Sequence, residues 1–415
     1  MTGEYPPMQG GVGDFTHRLG QAFVRLGHQV LVVTSHKILS ASSSPLSMPS
    51  GESTDNAPQV AAVLKEWGWT SWNPMLQAAS KWRADILHVQ YQTAAFGMHP
   101  AINFLPLRLQ VNRGRPRLVY TFHDLRVPYL FPKAGAVRQW VTLLPAHWSD
   151  AAIATNREDY VLLSRELRGA GRRIASIPIG SNIDPRPPSD YSREVWRHRL
   201  GIEAGDKVLC YFGFINASKG VETLARTLDR LREDGIKVKL LMVGGRVGDS
   251  DPANVAYLQR VEALAQQLGI ADSILWTGYA PTEHVSAHLL AADVCLLPYL
   301  DGASFRRGSL MAALAHGLPI VSTRPESDEP LIVDGENMLL VPAGDHNATA
   351  EAVRRLLNSP DLSAKLSKGA LGLAQGFSWE AIAAKHVQLY ASLLEDSPSL
   401  RPTATENEPN HTVGE

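Results

Sequence analysis

Residues 297–323 read Leu297-Pro-Tyr-Leu-Asp-Gly-Ala-Ser-Phe-Arg-Arg-Gly-Ser-Leu-Met-Ala-Ala-Leu-Ala-His-Gly-Leu-Pro-Ile-Val-Ser-Thr323. An apolar run closes at Pro298, and a polar loop with Arg306 and Arg307 follows. A helix of small residues is predicted from Ser309 to His316, Gly317 stops it, and a second apolar run begins at Pro319. Strand, loop, helix and strand in that order predict a parallel β–α–β unit. Two arginines beside a helix N-terminus, at the C-terminal end of a strand, make a candidate diphosphate site that includes Gly308 and Ser309. Helix dipole and guanidinium forks both favour anionic oxygens there.

The same alternation extends in both directions. Strands are predicted at 29–34, 85–91, 117–122, 151–155 and 174–178, then at 207–214, 237–244, 273–278, 293–298 and 338–342. Most are apolar throughout, as expected of strands covered by helices on both faces. Asp184-Pro-Arg-Pro-Pro-Ser-Asp190 cannot continue a helix or a central strand and reads as a linker. The expected division is therefore 1–184, 185–376, a last helix over 377–395 and a polar tail over 396–415. Residues 40–59, rich in Ser, Pro and Gly, predict a surface loop. A parallel domain would open with a buried strand, yet a Gly/Pro loop here feeds straight into a helix at Asp14. Either the true start lies upstream, the preferred expectation, or the first sheet lacks a strand.

Composition narrows the function. The 415 residues carry a formal net charge of −1, so no global field favours nucleic acid. Residues 1–184 hold 18 Lys/Arg against 12 Asp/Glu, and the rest hold 22 against 29. Cys210 and Cys295 lie in apolar runs and read as small buried hydrophobes. Neither a signal peptide nor a membrane span is recognisable, which makes the cytoplasm the expected compartment.

Three further segments carry chemistry. Gly10, Gly11 and Gly13 precede the first helix, where backbone N–H groups can approach a phosphate, although a tight turn fits as well. Thr121-Phe-His-Asp places His123 and Asp124 at a strand's C-terminal end, where such sheets bind ligands. Gly213-Phe-Ile-Asn-Ala-Ser-Lys-Gly220 brings Lys219 to the mouth of an amphipathic helix, in position to pair with a phosphate.

In this order the segments resemble the retaining glycosyltransferases of family 4, over nearly the whole chain from Gly3 to about Leu394. The matching stretches are Glu-Tyr-Pro-Pro…Gly-Gly-Val-Gly, Phe122-His-Asp, Ser218-Lys-Gly, Ala313-Leu-Ala-His-Gly-Leu-Pro-Ile-Val and Phe377-Ser-Trp. The resemblance implies a GT-B fold, two Rossmann-like parallel-sheet domains facing across a cleft. It also implies a nucleoside-diphosphate sugar as donor, a sugar, glycan or lipid acceptor, and a last helix crossing back to the first domain. Roles carried over are His123 beside the transferred sugar, Lys219 on the diphosphate, and Gly11, Gly13 and Gly213 near the donor. Asp14, Tyr91 and Asp124 fall on the acceptor side.

Two departures matter. The family's usual arginine after Gly213 is Phe214 here, and its two usual glutamates are Ser304 and Ala312. Arg306 and Arg307 are expected to restore the missing positive charge, with Asp301 and Ser304 supplying polar contacts to the sugar. No metal or other cofactor is expected, since the cations and helix termini can stabilise the leaving diphosphate. The competing expectations are an epimerase or hydrolase on the same fold, or a scaffold that binds a nucleotide sugar without turnover. Two basic groups, Arg108/Arg113/Arg115/Arg117 beside Phe104-Leu-Pro-Leu and Arg165/Arg168/Arg172/Arg173, read first as solvated helix faces, with peripheral contact with anionic lipid as the alternative.

Overall fold

The computed structural model describes residues 1–8, 10–38, 57–111, 114–125, 136–169, 171–245 and 252–395. The loop expected over 40–59 up to residue 56, Arg113 and the tail from 396 lie outside these residues.

In the first half β1 (Leu31–Ser35) pairs in parallel with β2 (Gln59–Leu64). Four further strands, β3 (Ile86–Tyr91), β4 (Arg117–Phe122), β5 (Ala151–Ala154) and β6 (Arg173–Ser176), form a parallel sheet in chain order. Met1 and Thr2 lie between the two sheets. The Met1 nitrogen donates to His88 O at 2.7 Å, Gln90 N donates to Met1 O at 2.9 Å, and Thr2 N donates to Val33 O at 3.2 Å. Sequence reading missed β2, whose side chains are mostly exposed or half-buried and so show no continuous apolar run.

The second half contains β7 (Lys207–Phe212), β8 (Val238–Val243), β9 (Ile274–Trp276), β10 (Val294–Leu297), β11 (Ile320–Thr323) and β12 (Leu339–Val341). Their order is β12-β11-β10-β7-β8-β9, all parallel. Strand order reverses between β7 and β10, and ligands of such sheets bind outside the C-terminal strand ends at that reversal. Cys210 and Cys295 are neighbours across β7 and β10, both buried free thiols.

Seven helices position the site: α1 (Gly11–Arg25), α2 (Ala101–Gln110), α3 (Ala136–Trp148), α4 (Arg157–Glu166), α5 (Val221–Glu233), α6 (Gly308–Ala315) and α7 (Trp379–Glu395). In α5, Val221, Leu224, Ala225, Leu228 and Leu231 are buried, the spacing of a helix with one apolar face against the sheet. The last helix, α7, leaves the second half and packs on the first. Trp379 and Ile382 join Phe15, Phe23, Val119 and Ile153 in one core. Trp379 Nε1 donates to Ser181 O at 2.8 Å, and a Cβ on Gly180 would lie 2.9 Å from the Trp379 ring. The residue before the linker must therefore be small where the chain crosses itself.

Candidate active site

At the strand reversal, the loops after β7 and β10 are joined by a hydrogen bond from Leu300 N to Ser218 O at 2.9 Å. Gly220 has φ 67°, and a Cβ there would lie 2.0 Å from Pro298 O. Only glycine lets the two loops approach so closely. This approach brings Lys219 from one loop over a side chain of the other. Its Nζ lies 5.2 Å from the centre of the Tyr299 ring, and the Arg307 guanidinium lies 4.9 Å from the same centre. The Tyr299 hydroxyl shares a 2.6 Å hydrogen bond with Ser309 Oγ at the start of α6. Ser309 in turn lies 3.9 Å from where a Gly213 Cβ would stand, so both strand ends line one site.

Asp301 organises the cations. One carboxylate oxygen accepts from Arg307, and the other lies 3.4 Å from Arg306 Nη2. Arg307 Nε is buried without a hydrogen-bond partner among the described residues. Ser304 holds the loop through its carbonyl, which accepts from Arg307 N at 3.1 Å, and through its hydroxyl, 3.4 Å from Arg306 N. Burial, then Arg307, pulls the Lys219 ammonium down to about 8, with Asp301 opposing the shift. Three cations thus gather near Asp301 beside the N-terminus of α6, more positive charge than that one carboxylate answers. A diphosphate supplies the balancing charge.

Arg306 also reaches across to the first half, where Glu158 Oε2 lies 3.5 Å from its Nη1. Beside Glu158 on α4, Asp159 is raised in pKa chiefly by burial. Its Asn156 hydrogen bond opposes this, Asp124 and Glu158 add to it, and Arg306 lowers it. The β4 end that carries His123 and Asp124 therefore lies within electrostatic reach of the arginine loop. A second cross-link pairs Arg157 with Asp328 at 2.8 Å. Glu158 and Asp159 escaped sequence reading because no spacing relates α4 to residues 301–307; only the fold brings them together.

His123 packs edge-on against Phe15 at 4.7 Å, and its Nε2 hydrogen-bonds Gln90 Oε1 at 2.9 Å. Burial and nearby His386 push its pKa to about 3, so the imidazole is neutral near pH 7. It can donate or accept a hydrogen bond but cannot serve as a charged acid. Asp14, in the first turn of α1, is raised by burial and lowered by Arg18.

Two expectations need correcting. Tyr91 is fully buried in the first core, its hydroxyl accepting from Asn103 Nδ2 at 2.8 Å, so it supports β3 and offers no acceptor surface. Alternate residues of a strand point to opposite faces, and the sequence did not reveal which face Tyr91 took. The glycine loop is also not an open phosphate cradle. The Glu4 carboxylate accepts from the Gly13 N–H and lies 2.0 Å from where a Gly10 Cβ would stand. Gly11 alone has open space around its Cβ position.

The positions that depart from the family pattern are now placed. Phe214 is half exposed, with its carbonyl accepting from the Tyr211 hydroxyl at 3.0 Å. Ala312 is fully buried inside α6.

Comparison with known proteins bears on the family and the fold. The sequence model described as Glycosyltransferase Family 4 matches residues 9–184, and that described as Glycosyl transferases group 1 matches residues 206–359. A D-inositol 3-phosphate glycosyltransferase of Xylanimonas cellulosilytica is 30% identical over 60% of this chain and 59% of its own. A putative glycosyltransferase, EpsD of Bacillus subtilis, is 24% identical over 69% of this chain and 72% of its own. The matched region thus spans under two thirds of the inositol-phosphate relative's length. Among solved structures, sucrose-phosphate synthase from Thermosynechococcus elongatus superposes with a TM-score of 0.69 at 22% identity, covering 94% of both chains. Anabaena HepE with UDP-glucose gives 0.67 at 17% identity, covering 94% of this chain and 98% of that one. These neighbours share the GT-B architecture. With consecutive family matches over both halves and that architecture throughout, the chain belongs to glycosyltransferase family 4.

Proposed function

We propose that this chain transfers a glycosyl group from a nucleoside-diphosphate sugar to an acceptor hydroxyl with retention of the anomeric configuration. The observation that carries the reading is the gathering of Lys219 and Arg307 over the Tyr299 ring, with Arg306 and Arg307 on Asp301, at the β7/β10 reversal. The donor's anomeric C–O bond breaks and the electron pair leaves with the diphosphate. The acceptor oxygen forms its bond to the same carbon on the same face, and its proton passes to a phosphate oxygen. Lys219, the arginines and the N-terminus of α6 stabilise the leaving charge, so this reading requires neither a metal nor another cofactor. Neutral His123 orients the sugar by a hydrogen bond. Closure of the two halves over the donor excludes water, which would otherwise hydrolyse it.

Uridine donors come first, since HepE was solved with UDP and UDP-glucose. The acceptor is a sugar, a glycan or a lipid-linked hydroxyl. The two buried free thiols support action in the reducing cytoplasm. Thermal stability against UDP-, GDP-, ADP- and dTDP-sugars tests the donor reading, because a ligand that binds only the folded state raises Tm. A shift with one nucleotide family, lost in Arg307→Ala, supports it. No shift with any of the four sinks it.

Phe214, Ser304 and Ala312 favour a second reading, a scaffold that binds donor without turnover. A thermal shift with no product or free sugar formed over a range of acceptors would select it.

A further inference from the structure

The loops at the C-terminal ends of β2 and β3 carry a cluster of rings that the donor site does not use. Trp67-Gly-Trp-Thr-Ser-Trp72 follows β2, and a loop over 92–100 follows β3. The Trp69 ring lies 5.1 Å from Trp72 and 5.5 Å from His99, both edge-on, and 5.7 Å from Phe104 of α2, measured between ring centres. Trp72 Nε1 donates to Ala101 O at 3.1 Å, and His99 Nδ1 accepts from Ala101 N at 3.1 Å, so two of the three supports are pinned to the start of α2. Trp69 itself is 50% exposed. Three rings therefore fix an indole whose outer surface stands in water. His123 N donates to Tyr91 O at 3.0 Å, which puts the end of β3, and the loop that follows it, on the same sheet edge as His123. Ligands of parallel sheets bind along that edge.

We propose that Trp69 is the stacking platform of a subsite for a saccharide acceptor. The inference rests on the transferase reading and adds to it a class of acceptor. The chemistry bordering the ring decides between occupants. Lys65, Glu66, Thr70 and Asn73, its neighbours in sequence, are all exposed and bring one cation, one anion and two neutral polar groups. A bilayer or a second copy of the chain calls for a continuous apolar face, and an anionic ligand calls for an excess of positive charge. A pyranose matches what is present. Its axial C–H bonds form an apolar, weakly positive face that rests on the negative face of the indole, while its hydroxyls reach the polar rim. The fixed ring helps, because a platform already immobilised loses little freedom when it binds. Trp69 touches the loop after β3, and the end of that strand touches His123 N, so an acceptor that meets both residues is an oligosaccharide rather than one sugar.

The test is saturation-transfer NMR of the full chain with gluco-, galacto- and manno-oligosaccharides, from disaccharides to tetrasaccharides. Transfer to the C–H protons of at least one series is expected, stronger for its longer members. Trp69→Ala is expected to weaken that binding by about tenfold, and Trp69→Phe, which keeps a ring, by no more than about threefold. The thermal shift given by the donor nucleotide should stay at its wild-type value in both variants, a readout that a general loss of structure would move. No saccharide binding by the wild type, wild-type binding by Trp69→Ala, or equal loss in both variants overturns the proposal. So does flotation with lipid vesicles, or a concentration-dependent dimer, that Trp69→Ala abolishes, since either would give the ring another occupant. A nucleotide shift without saccharide binding removes the subsite and leaves the transferase reading standing. Saccharide binding without any nucleotide shift keeps the subsite and removes that reading.

Discussion

The Arg307 guanidinium lies 4.9 Å from the centre of the Tyr299 ring, and Lys219 Nζ lies 5.2 Å from the same centre. One buried aromatic side chain thus holds two cations from different loops. A desolvated cation on an aromatic face is worth about 2 kcal/mol, so Tyr299 helps set where positive charge stands before any donor arrives. Its hydroxyl bond to Ser309 fixes the ring against α6.

Substitution separates these two roles. Tyr299→Phe keeps the ring face and loses one hydrogen bond, and is expected to weaken donor binding by about fivefold. Tyr299→Leu removes both cation contacts and is expected to weaken it by tenfold or more. Calorimetric titration with the donor nucleotide measures both, and equal affinities for the two variants would show that the ring face is irrelevant.

Lys219 gives the site a pH dependence. Its folded pKa is drawn down to about 8, and the ammonium is the form that pairs with a diphosphate. Donor capture should be constant at and below pH 7 and should fall as pH rises through about 8. The measurable quantity is kcat/KM for donor, which reports groups of the free protein. Lys219→Met should lower the whole profile and remove this inflection.

Gly220→Ala tests the approach of the two loops. The new Cβ would lie 2.0 Å from a carbonyl oxygen, on a backbone with φ 67°. A loss on the order of 2–4 kcal/mol is expected, seen as a fall in Tm of roughly 5–10 °C. Gly235→Ala shares the positive φ (77°) but has open space around its Cβ, so it should cost far less.

Acid should destabilise the first half through its buried imidazoles. Burial lowers His123 to about 3 and His386 to about 4, both below the ordinary value of 6.5. An unfolded chain therefore binds protons that the folded one refuses. The stability these groups contribute is complete above pH 6.5 and is lost as pH falls toward their folded values, at up to about 1.4 kcal/mol per pH unit for each. Urea midpoints between pH 4.5 and 8 measure the slope. His386→Leu, which also removes a buried Nε2 with no hydrogen-bond partner among the described residues, should flatten it by up to one proton.

The parallel architecture was legible because its strands are apolar on both faces. The segments now forming β4, β7 and β11 could be read from composition alone, with ends accurate to about two residues. The edge strand β2 lacks that signal. Within the site, Lys219, Ser304, Arg306, Arg307 and Ser309 could be grouped because two adjacent strand ends carry them. Tyr299 was quoted in the sequence without a role, since nothing in a string of residues shows that its ring lies beneath two cations. Glu4, Glu158 and Asp159 come from segments that only tertiary packing brings near the glycine loop and the arginine loop. The lipid-facing expectation named arginines by their clustering, but clustering could not show that Asp150 neutralises two of them.

The return of α7 to the first half has an engineering consequence. Because Trp379 is seated against Gly180 and Ser181, the polypeptide bridges the halves twice at one place, like a strap threaded back through its own buckle. Fragments made by cutting at the proline linker would leave Phe15, Phe23 and Ile153 bare on one piece and a greasy helix dangling from the other. A split version for complementation should therefore carry residues 379–395 with the front piece.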